Sequence, residues 1–313
     1  MNKKKLAIFL AGIMVAGIGL SFHINHEKSQ EFADRIASFS ESIEDDDFLI
    51  SAHRGFSSLA VENTEDAISL AAEKNYVDYI EIDARMTPDS QIVLSHDNAL
   101  TVTMDHIQYV SLTPYDELME TTYHYYSTPS GMGLWRVPEK SFLMGRYKDL
   151  NGREYHIANL LEGILASGDK KILLDLKFPF DVEHFVECLK EELKDVDTSR
   201  IVFQSLDLNG IRYLKEHSDY TCSALVDKVS ELDMVKDFDH IGIKSSILTP
   251  EIVERLLKEG KQIFVWTIDN SKELKRVADL FGEHYLDVNY ITDFPDFIAM
   301  ELDQYQKVKT TQE

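Results

Sequence analysis

The fold of the chain is decided by residues 79–84, which read Tyr79-Ile80-Glu81-Ile82-Asp83-Ala84. Side chains of a strand alternate between its two faces, so the two acids share one face and Ile80, Ile82 and Ala84 share the other. If the acidic face lay beneath a helix layer, each unpaired charge would cost several kcal/mol. The segment therefore predicts a strand whose apolar face packs under helices and whose acids reach the mouth of a barrel.

Seven more short runs of β-branched and aromatic residues alternate with helical patterns, which is typical of βα units around a parallel sheet. The strand candidates, with residues 79–84, are 48–53, 171–176, 200–204, 221–226, 240–243, 262–267 and 287–292. The helical patterns between them are 63–74, 181–193, 208–217, 251–258 and 272–281. Eight parallel strands close a barrel. The sequence thus predicts a (β/α)8 TIM-type barrel over residues 48–302.

Two segments fall outside this regular alternation. A β-like run at 91–95 follows the second strand, and residues 100–155 are too long for a simple βα loop and rich in Tyr, Thr, Pro and Gly. Such long loops are usually functional. We interpret the segment as an insertion that caps the active-site face or as a structural elaboration, and residues 303–313 as a polar tail.

The N-terminal segment has the layout of a membrane anchor or a signal sequence. The basic tip 1–5 precedes an apolar run from Leu6 to Phe22. This run of about 17 residues exceeds the usual signal-peptide core of roughly 7–15 and approaches a bilayer span. An uncleaved transmembrane helix over 6–22 with a cytoplasmic tip is favoured, with secretion after cleavage as the alternative. Residues 23–47 follow as a linker helix, and the catalytic domain is expected to be extracytoplasmic at the cell membrane.

The composition excludes one class of partner. The formal net charge of −23 over 313 residues, with no basic stripe, argues against a nucleic-acid surface.

Cys188 and Cys222 have no metal-ligand or redox spacing, which favours buried thiols over a disulfide or a reactive thiol.

Polar residues gather where three predicted strands end. His53-Arg54-Gly55 follow the first strand, His96-Asp97 follow the β-like run, and Asp175-Leu176-Lys177 end the third strand. With Glu81 and Asp83 they place several acids and bases at one rim. A divalent cation usually holds such like charges together, and oxygen-only ligands suit Ca²⁺ or Mg²⁺. The alternative is neutralisation of the acids by Arg54 or Lys177.

The ordered motifs of the chain resemble those of the glycerophosphodiester phosphodiesterase family. They are His53-Arg54-Gly55, Glu62-Asn63-Thr64, Glu81-Ile82-Asp83, Thr87-Pro88-Asp89, His96-Asp97 and Asp175-Leu176-Lys177, followed by Gln204-Ser205, Trp266-Thr267 and Thr292-Asp293-Phe294-Pro295. The resemblance implies a phosphoric diester hydrolase of lipid metabolism that converts glycerophosphodiesters to glycerol 3-phosphate and an alcohol. It also implies one bound Ca²⁺ or Mg²⁺ and attack by the free glycerol hydroxyl of the substrate through a cyclic phosphate.

Site roles follow from the residues and the resemblance together. Glu81, Asp83 and Asp175 are the candidate metal ligands, and His53 and His96 the candidate general acid and base. Arg54 and Lys177 are expected to bind the phosphate. Trp266 either forms a wall for the glycerol or packs in the core. Four further residues are expected to contact and support these groups without touching the metal or the substrate: Glu62, Asn63, Gln204 and Asp293.

Two departures from the family pattern and two rival functions stay open. Asp175 stands where the family most often has glutamate, and Val61 where it usually has proline. The substrate is expected to be a small glycerophosphodiester or a glycerol-phosphate polymer of a cell envelope. A barrel phospholipase acting on intact lipid head groups, or a binding protein that has lost catalysis, are the rivals.

Overall fold

The computed structural model describes residues 48–103, 106–121, 123–127, 143–147, 157–166 and 168–311. The predicted anchor at 6–22, the linker at 23–47 and much of the insertion lie outside these ranges. Within them, none of the helices combines the length and the apolar character that crossing a membrane requires.

Thirteen strands and eight α-helices are defined in the described ranges. The strands are β1 Leu49–Ala52, β2 Tyr79–Met86, β3 Ile92–Leu94, β4 Ala99–Thr103, β5 His106–Tyr109, β6 Tyr123–Ser127, β7 Leu143–Tyr147, β8 Lys171–Leu176, β9 Ile201–Ser205, β10 Thr221–Val226, β11 His240–Lys244, β12 Gln262–Trp266 and β13 Val288–Thr292. The helices are α1 Glu65–Ala72, α2 Tyr115–Glu120, α3 Ile157–Ala166, α4 Val182–Glu192, α5 Leu208–His217, α6 Pro250–Lys258, α7 Ser271–Phe281 and α8 Pro295–Thr310.

Eight parallel strands close on themselves. The hydrogen-bonded order is β1-β13-β12-β11-β10-β9-β8-β2, and β1 also pairs with β2, so the sheet has no free edge within this ring. The short strand β3 adds to β2 in the antiparallel direction. The predicted TIM-type barrel is therefore confirmed, because each of the eight strand candidates forms one strand of the ring.

The two faces of β2 are buried in different surroundings. Ile80, Ile82 and Ala84 belong to the large apolar cluster between the barrel and its helices. Inside the barrel lies a separate small cluster of Leu173, Val202, Phe264 and Ile291, one residue from each of four strands. Glu81 and Asp83 point to this inner side, as the alternation predicts.

Two segments outside the predicted strand–helix alternation have defined secondary structure. The described part of the insertion forms two antiparallel hairpins, β4–β5 and β6–β7, with α2 between them. Residues 303–310, expected to be a polar tail, continue helix α8 instead. They are held in place because the Tyr305 hydroxyl donates to Asp279 and Lys309 donates to the carbonyl of Gly282.

The cysteines also depart in part from expectation. Both are free thiols, so the alternative of a disulfide between them is wrong. Cys222 is buried as expected, but Cys188 on α4 is only partly buried.

Candidate active site

The strand ends of β1, β2 and β8 carry the acidic and basic side chains to one place. His53 and Arg54 follow β1 directly, Glu81 and Asp83 lie within β2, and Asp175 lies near the end of β8. The register pairs Asp83 with Asp175 across the two neighbouring strands. Parallel pairing thus sets the two carboxylates side by side on the inner face.

Three buried carboxylates form the centre of the site. Glu81, Asp83 and Asp175 each offer an oxygen, and the three oxygens lie within 4.8 Å of one another. Lys177 bridges two of them, with Nζ 2.9 Å from Asp83 Oδ1 and 2.6 Å from Asp175 Oδ2. The other oxygen of Asp175, Oδ1, is buried and has no hydrogen-bond partner.

Neighbouring residues fix the orientation of these carboxylates. The Asn63 side-chain amide donates to Asp83 Oδ2 at 2.9 Å and accepts from the Asp83 backbone N–H at 2.9 Å. The backbone N–H of Arg54 donates to Glu81 Oε2 at 2.8 Å, while its guanidinium pairs with Glu62 at 2.8 Å. Arg54 and Asn63 both have positive φ, 56° and 57°. This left-handed backbone is uncommon outside glycine and is retained where the surrounding structure enforces it.

Burial and mutual repulsion set the charge states of the carboxylates. Burial, together with the Asp83 charge, raises the pKa of Glu81 above its usual range, and burial likewise raises the pKa of Asp175. Burial would also raise the pKa of Asp83, but Lys177 and Arg54 outweigh it and lower that pKa. The three carboxylates of the cluster therefore carry more negative charge than Lys177 and Arg54 can neutralise.

His53 is held by a carboxylate on its far side. Its Nδ1 lies 2.6 Å from Asp293 Oδ1, and its Nε2 lies 3.9 Å from Glu81 Oε2. Burial lowers the pKa of this imidazole, but Asp293 and then Glu81 raise it to about 9. Ser57 donates a further hydrogen bond to the same Asp293 oxygen at 3.2 Å. Nε2 is thus the ring nitrogen that faces the carboxylate cluster.

His96 reaches the site from the segment that follows β3. Its side chain is 36% exposed, and its Nδ1 lies 2.9 Å from Asp97 Oδ1. Arg85 on β2 donates through both Nε and Nη2 to the His96 carbonyl, which ties this segment to the barrel.

One cleft of about 110 Å³ brings these groups together. It is lined by His53, Arg54, Glu81, Asp83, His96, Asp175, Lys177, Gln204, Leu206, Leu225, Trp266, Thr267 and Ile291. Nine predicted site residues are in that set: His53, Arg54, Glu81, Asp83, His96, Asp175, Lys177, Gln204 and Trp266. Glu62, Asn63 and Asp293 do not line the cleft but contact residues that do.

A model of the glycerophosphoryl diester phosphodiesterase family matches residues 53–296. The match begins at His53 and covers more than half of the chain. The chain belongs to this family. It is a phosphoric diester hydrolase, and the predicted family and enzyme class are confirmed.

Relatives with this name share the whole domain at low identity. A Bacillus subtilis (strain 168) protein, YhdW, whose own glycerophosphodiester phosphodiesterase assignment is provisional, is 26% identical over 80% of this chain and 97% of that protein. A glycerophosphodiester phosphodiesterase of Caldanaerobacter subterraneus subsp. tengcongensis is 24% identical over 73% of this chain and 89% of that protein.

Solved structures share the fold. An Oleispira antarctica phosphodiesterase in complex with the product sn-glycerol-3-phosphate has a TM-score of 0.61 and 21% identity over 82% of this chain and 96% of that chain. A Silicibacter pomeroyi structure assigned to the glycerophosphoryl diester phosphodiesterases has a TM-score of 0.66 and 20% identity over 82% and 94% of the two chains.

The carboxylate cluster of this phosphodiesterase fits a metal ion. Three buried carboxylates converge, Asp175 Oδ1 has no hydrogen-bond partner, and burial together with repulsion from Asp83 raises the pKa of Glu81. A hard cation would relieve this repulsion, and oxygen ligands are those that Ca²⁺ and Mg²⁺ prefer.

Sequence reasoning missed the apolar wall of the cleft. Leu206, Leu225 and Ile291 line it, together with Thr267. Strand alternation places Leu225 and Ile291 on the inner face of β10 and β13, but it does not distinguish a cleft residue from a core residue. Leu206, directly after β9, lies between the predicted strand 200–204 and the predicted helix 208–217, where no pattern indicated a role.

Proposed function

We propose that the enzyme hydrolyses glycerophosphodiesters to glycerol 3-phosphate and an alcohol, with one Ca²⁺ or Mg²⁺ held by Glu81, Asp83 and Asp175. The observation that carries the proposal is the convergence of three carboxylate oxygens within 4.8 Å in a cleft that His53 and His96 also line. The product in the Oleispira antarctica structure is that of the proposed reaction, on the same fold.

The bound cation would neutralise charge on the phosphoryl oxygens and lower the pKa of a coordinated hydroxyl. Arg54 and Lys177 supply the remaining positive charge in the cleft. Burial alone would lower the pKa of Arg54 and of Lys177. The neighbouring carboxylates raise both pKa values by more than burial lowers them, so both side chains stay cationic. A guanidinium and an ammonium can each donate charge-assisted hydrogen bonds to a phosphate. These two residues bind and orient the phosphodiester against the carboxylate cluster.

The two histidines divide the proton transfers. The raised pKa of His53 keeps its imidazole protonated near neutral pH, so it is the general acid that donates from Nε2 to the leaving alkoxide. Asp293 keeps the proton on Nδ1 and stabilises the imidazolium. His96 is the general base that accepts the proton of the attacking hydroxyl, either the substrate's own glycerol hydroxyl or water. When the glycerol hydroxyl attacks, a cyclic phosphate forms as the alcohol leaves, and water then opens it with each histidine in the opposite role; when water attacks, glycerol 3-phosphate forms in one step.

The apolar wall receives the uncharged part of the substrate. Trp266 ends β12 and lines the cleft beside Leu206 and Leu225. The ring supplies the apolar surface on which the glycerol carbons pack.

A second candidate, hydrolysis of a lysophospholipid, is favoured by one observation. The loops after β8 and β9 expose Phe180 and Leu206, and Leu206 also lines the cleft. An acyl chain could follow that apolar path out of the cleft. Comparing turnover of glycerophosphocholine with that of lysophosphatidylcholine separates the two, because activity on the lipid alone contradicts the leading proposal.

The proposed location is the outer side of the cell membrane, with the apolar run Leu6–Phe22 as a single-pass anchor or as a cleaved signal. The Lys-rich tip before the run supports a cytoplasmic N-terminus. Protease treatment of intact cells, followed by N-terminal sequencing of the retained fragment, distinguishes an anchored from a released domain.

The experiment that tests the proposed reaction is release of glycerol 3-phosphate by the full chain. We expect EDTA to abolish turnover of glycerophosphocholine and added Ca²⁺ or Mg²⁺ to restore it. H53A and H96A should each lower kcat by about 10²- to 10⁴-fold. H284A is the matched control, because His284 is exposed and contacts Asp287 on the surface. Full activity in EDTA, or in both active-site variants, contradicts the proposal.

A further inference from the structure

Arg85 is a charged residue at the mouth of the barrel that does not itself line the cleft. It follows Asp83 by two positions on β2, so both side chains point to the same face of the strand. The pairing of β2 with β8 ends at Ala84, whereas its pairing with β3 continues to Met86. Arg85 therefore lies just beyond the carboxylate cluster, where β2 extends past the neighbouring barrel strand.

Strand β3 returns the chain from this extension to the cleft. It runs antiparallel to β2, and directly after it the backbone N–H of Ser95 donates to the carbonyl of Asp83 at 3.0 Å. The next residue is His96, which lines the cleft together with Asp83. His96 thus enters the site on a short segment that lies beside β2.

Two hydrogen bonds from Arg85 hold the backbone of this segment. Its Nε and Nη2 atoms lie 2.9 Å and 2.5 Å from the carbonyl oxygen of His96. Among the residues that the structure describes, Arg85 is the only hydrogen-bond donor to this oxygen. A planar guanidinium that donates twice to one oxygen fixes both the position and the direction of the carbonyl.

Arg85 is a charged donor in this position. Burial lowers its pKa, while Asp83, Asp97 and Asp175 act in the opposite direction. An arginine side chain nevertheless stays protonated in proteins. Hydrogen bonds from an ionised donor are roughly twice as strong as those between neutral groups. The contact with His96 is therefore stronger than an ordinary contact between a side chain and a carbonyl.

The His96 side chain has only weak restraints of its own. It is 36% exposed, and Asp97, which pairs with its Nδ1, is 71% exposed. Ion pairs that are open to water contribute little. A general base must nevertheless lie within hydrogen-bond reach of the proton that it accepts. The position of the His96 backbone therefore decides where the imidazole can lie in the cleft.

We infer that Arg85 is a positioning residue of the active site, which holds His96 where it can exchange a proton with the substrate. Arg85 acts through the carbonyl of His96 and does not contact the substrate. It ties the histidine to β2, the strand that carries Glu81 and Asp83. The inference rests on the proposed function, because that function makes His96 a general base.

A double-mutant cycle on the full chain tests this role, with glycerophosphocholine as substrate and a saturating concentration of Ca²⁺ or Mg²⁺. R85A should lower kcat by roughly 10- to 100-fold, since a small displacement of a catalytic group is enough for such a loss. KM should change much less, because Arg85 does not line the cleft. R85K should be intermediate, since an ammonium cannot reproduce the two-pronged contact. In an H96A background, R85A should cause no further loss, because the two changes remove the same contribution.

A second readout does not depend on activity. NMR relaxation reports the order parameter of the His96 backbone N–H, which is about 0.85 for a rigid backbone and below about 0.6 for a flexible one. We expect a rigid value in the wild-type chain and a fall towards the flexible value in R85A. The N–H of Val93, which lies within β3, should keep its order in both proteins.

R200A is the matched control. Arg200 also donates to backbone carbonyls, those of Leu165, Gly168 and Lys170, but it precedes β9 and so lies at the opposite end of the barrel. R200A should lower the free energy of unfolding without lowering kcat, and urea unfolding of R85A and R200A compares their losses of stability.

An equal loss of kcat from R85A in the wild-type and H96A backgrounds would overturn the inference, as would unchanged order at His96 in R85A. If the wild-type chain released no glycerol 3-phosphate while His96 still lost order in R85A, the proposed reaction would fail and the anchoring of His96 by Arg85 would stand.

Discussion

At the scale of single residues, Asp293 determines the charge of His53. The carboxylate lies 2.6 Å from Nδ1, and with Glu81 it raises the imidazole pKa to about 9 against the effect of burial. In the metal-free protein this interaction stabilises the fold below the unfolded pKa of about 6.5 and is lost as the pH rises through about 9.

We predict that D293N lowers the pKa of His53, because the neutral amide cannot stabilise the imidazolium. NMR titration of His53 in EDTA-treated protein measures this directly, and the midpoint should move from near 9 towards or below its ordinary value of about 6.5. D287N serves as control, since Asp287 contacts the exposed His284. An unchanged His53 midpoint in D293N would show that Asp293 does not set its charge.

Asn63 has a comparable role for Asp83. It pairs with both the carboxylate and the backbone N–H of that residue, and both partners are buried. N63A should lower the free energy of unfolding by about 1–3 kcal/mol, because the Asp83 N–H loses its acceptor. Urea unfolding in EDTA measures this effect without metal.

The same variant should lower Ca²⁺ or Mg²⁺ affinity by roughly 10- to 100-fold, since the ligand loses its orienting partner. N98A is the control, because the Asn98 side chain bonds Ser111 at the surface, where water can replace it. Equal losses of stability and metal affinity in N63A and N98A would contradict this assignment.

At the scale of elements, the turn between β1 and α1 depends on Gly55. Its φ is +77°, and a Cβ there would lie 2.7 Å from the backbone carbonyl carbon of Ala67 on α1. G55A should lower the free energy of unfolding by about 1–3 kcal/mol, because neither the β1–α1 turn nor the backbone of α1 can move away without a further energetic cost. Thermal unfolding measures it.

Gly163 is the matched control within a helix. An added Cβ on this residue of α3 meets nothing within 4 Å, and its φ is not positive. G163A should raise the free energy of unfolding by about 0.5–1 kcal/mol, because alanine loses less conformational entropy in a helix. Similar behaviour of G55A and G163A would contradict the steric argument.

The barrel strands could be predicted from the sequence within a few residues at each end. Strands buried on both faces form short apolar runs, and Lys171–Leu176 and Thr221–Val226 were predicted with their observed bounds. Helix α3 was missed because it directly follows the Tyr-rich insertion, where no strand signal marks its start. Helix α8 was not among the predicted helices. Its second half was predicted to be a polar tail because its residues are largely polar, and contacts through Tyr305 and Lys309 hold it.

At the scale of the whole molecule, the charged half of the site could be predicted because parallel strands deliver their ends to one rim. That rule was enough to predict the positions of four site residues: His53, Glu81, Asp83 and Asp175. The apolar half could not be assigned, since Leu206 and Leu225 look like any loop or core leucine until the barrel closes. The contact between Ser90 and α4 joins residues 94 positions apart in the chain, so no local pattern reveals it.

The most direct test of the central claim is the number of Ca²⁺ or Mg²⁺ ions that the full chain binds, measured by equilibrium dialysis beside E81Q, D83N and D175N. We predict one equivalent in the wild-type chain and at least a tenfold weaker affinity in each variant, because each removes one charged ligand. Unchanged stoichiometry and affinity in all three variants would contradict a cation held by these carboxylates.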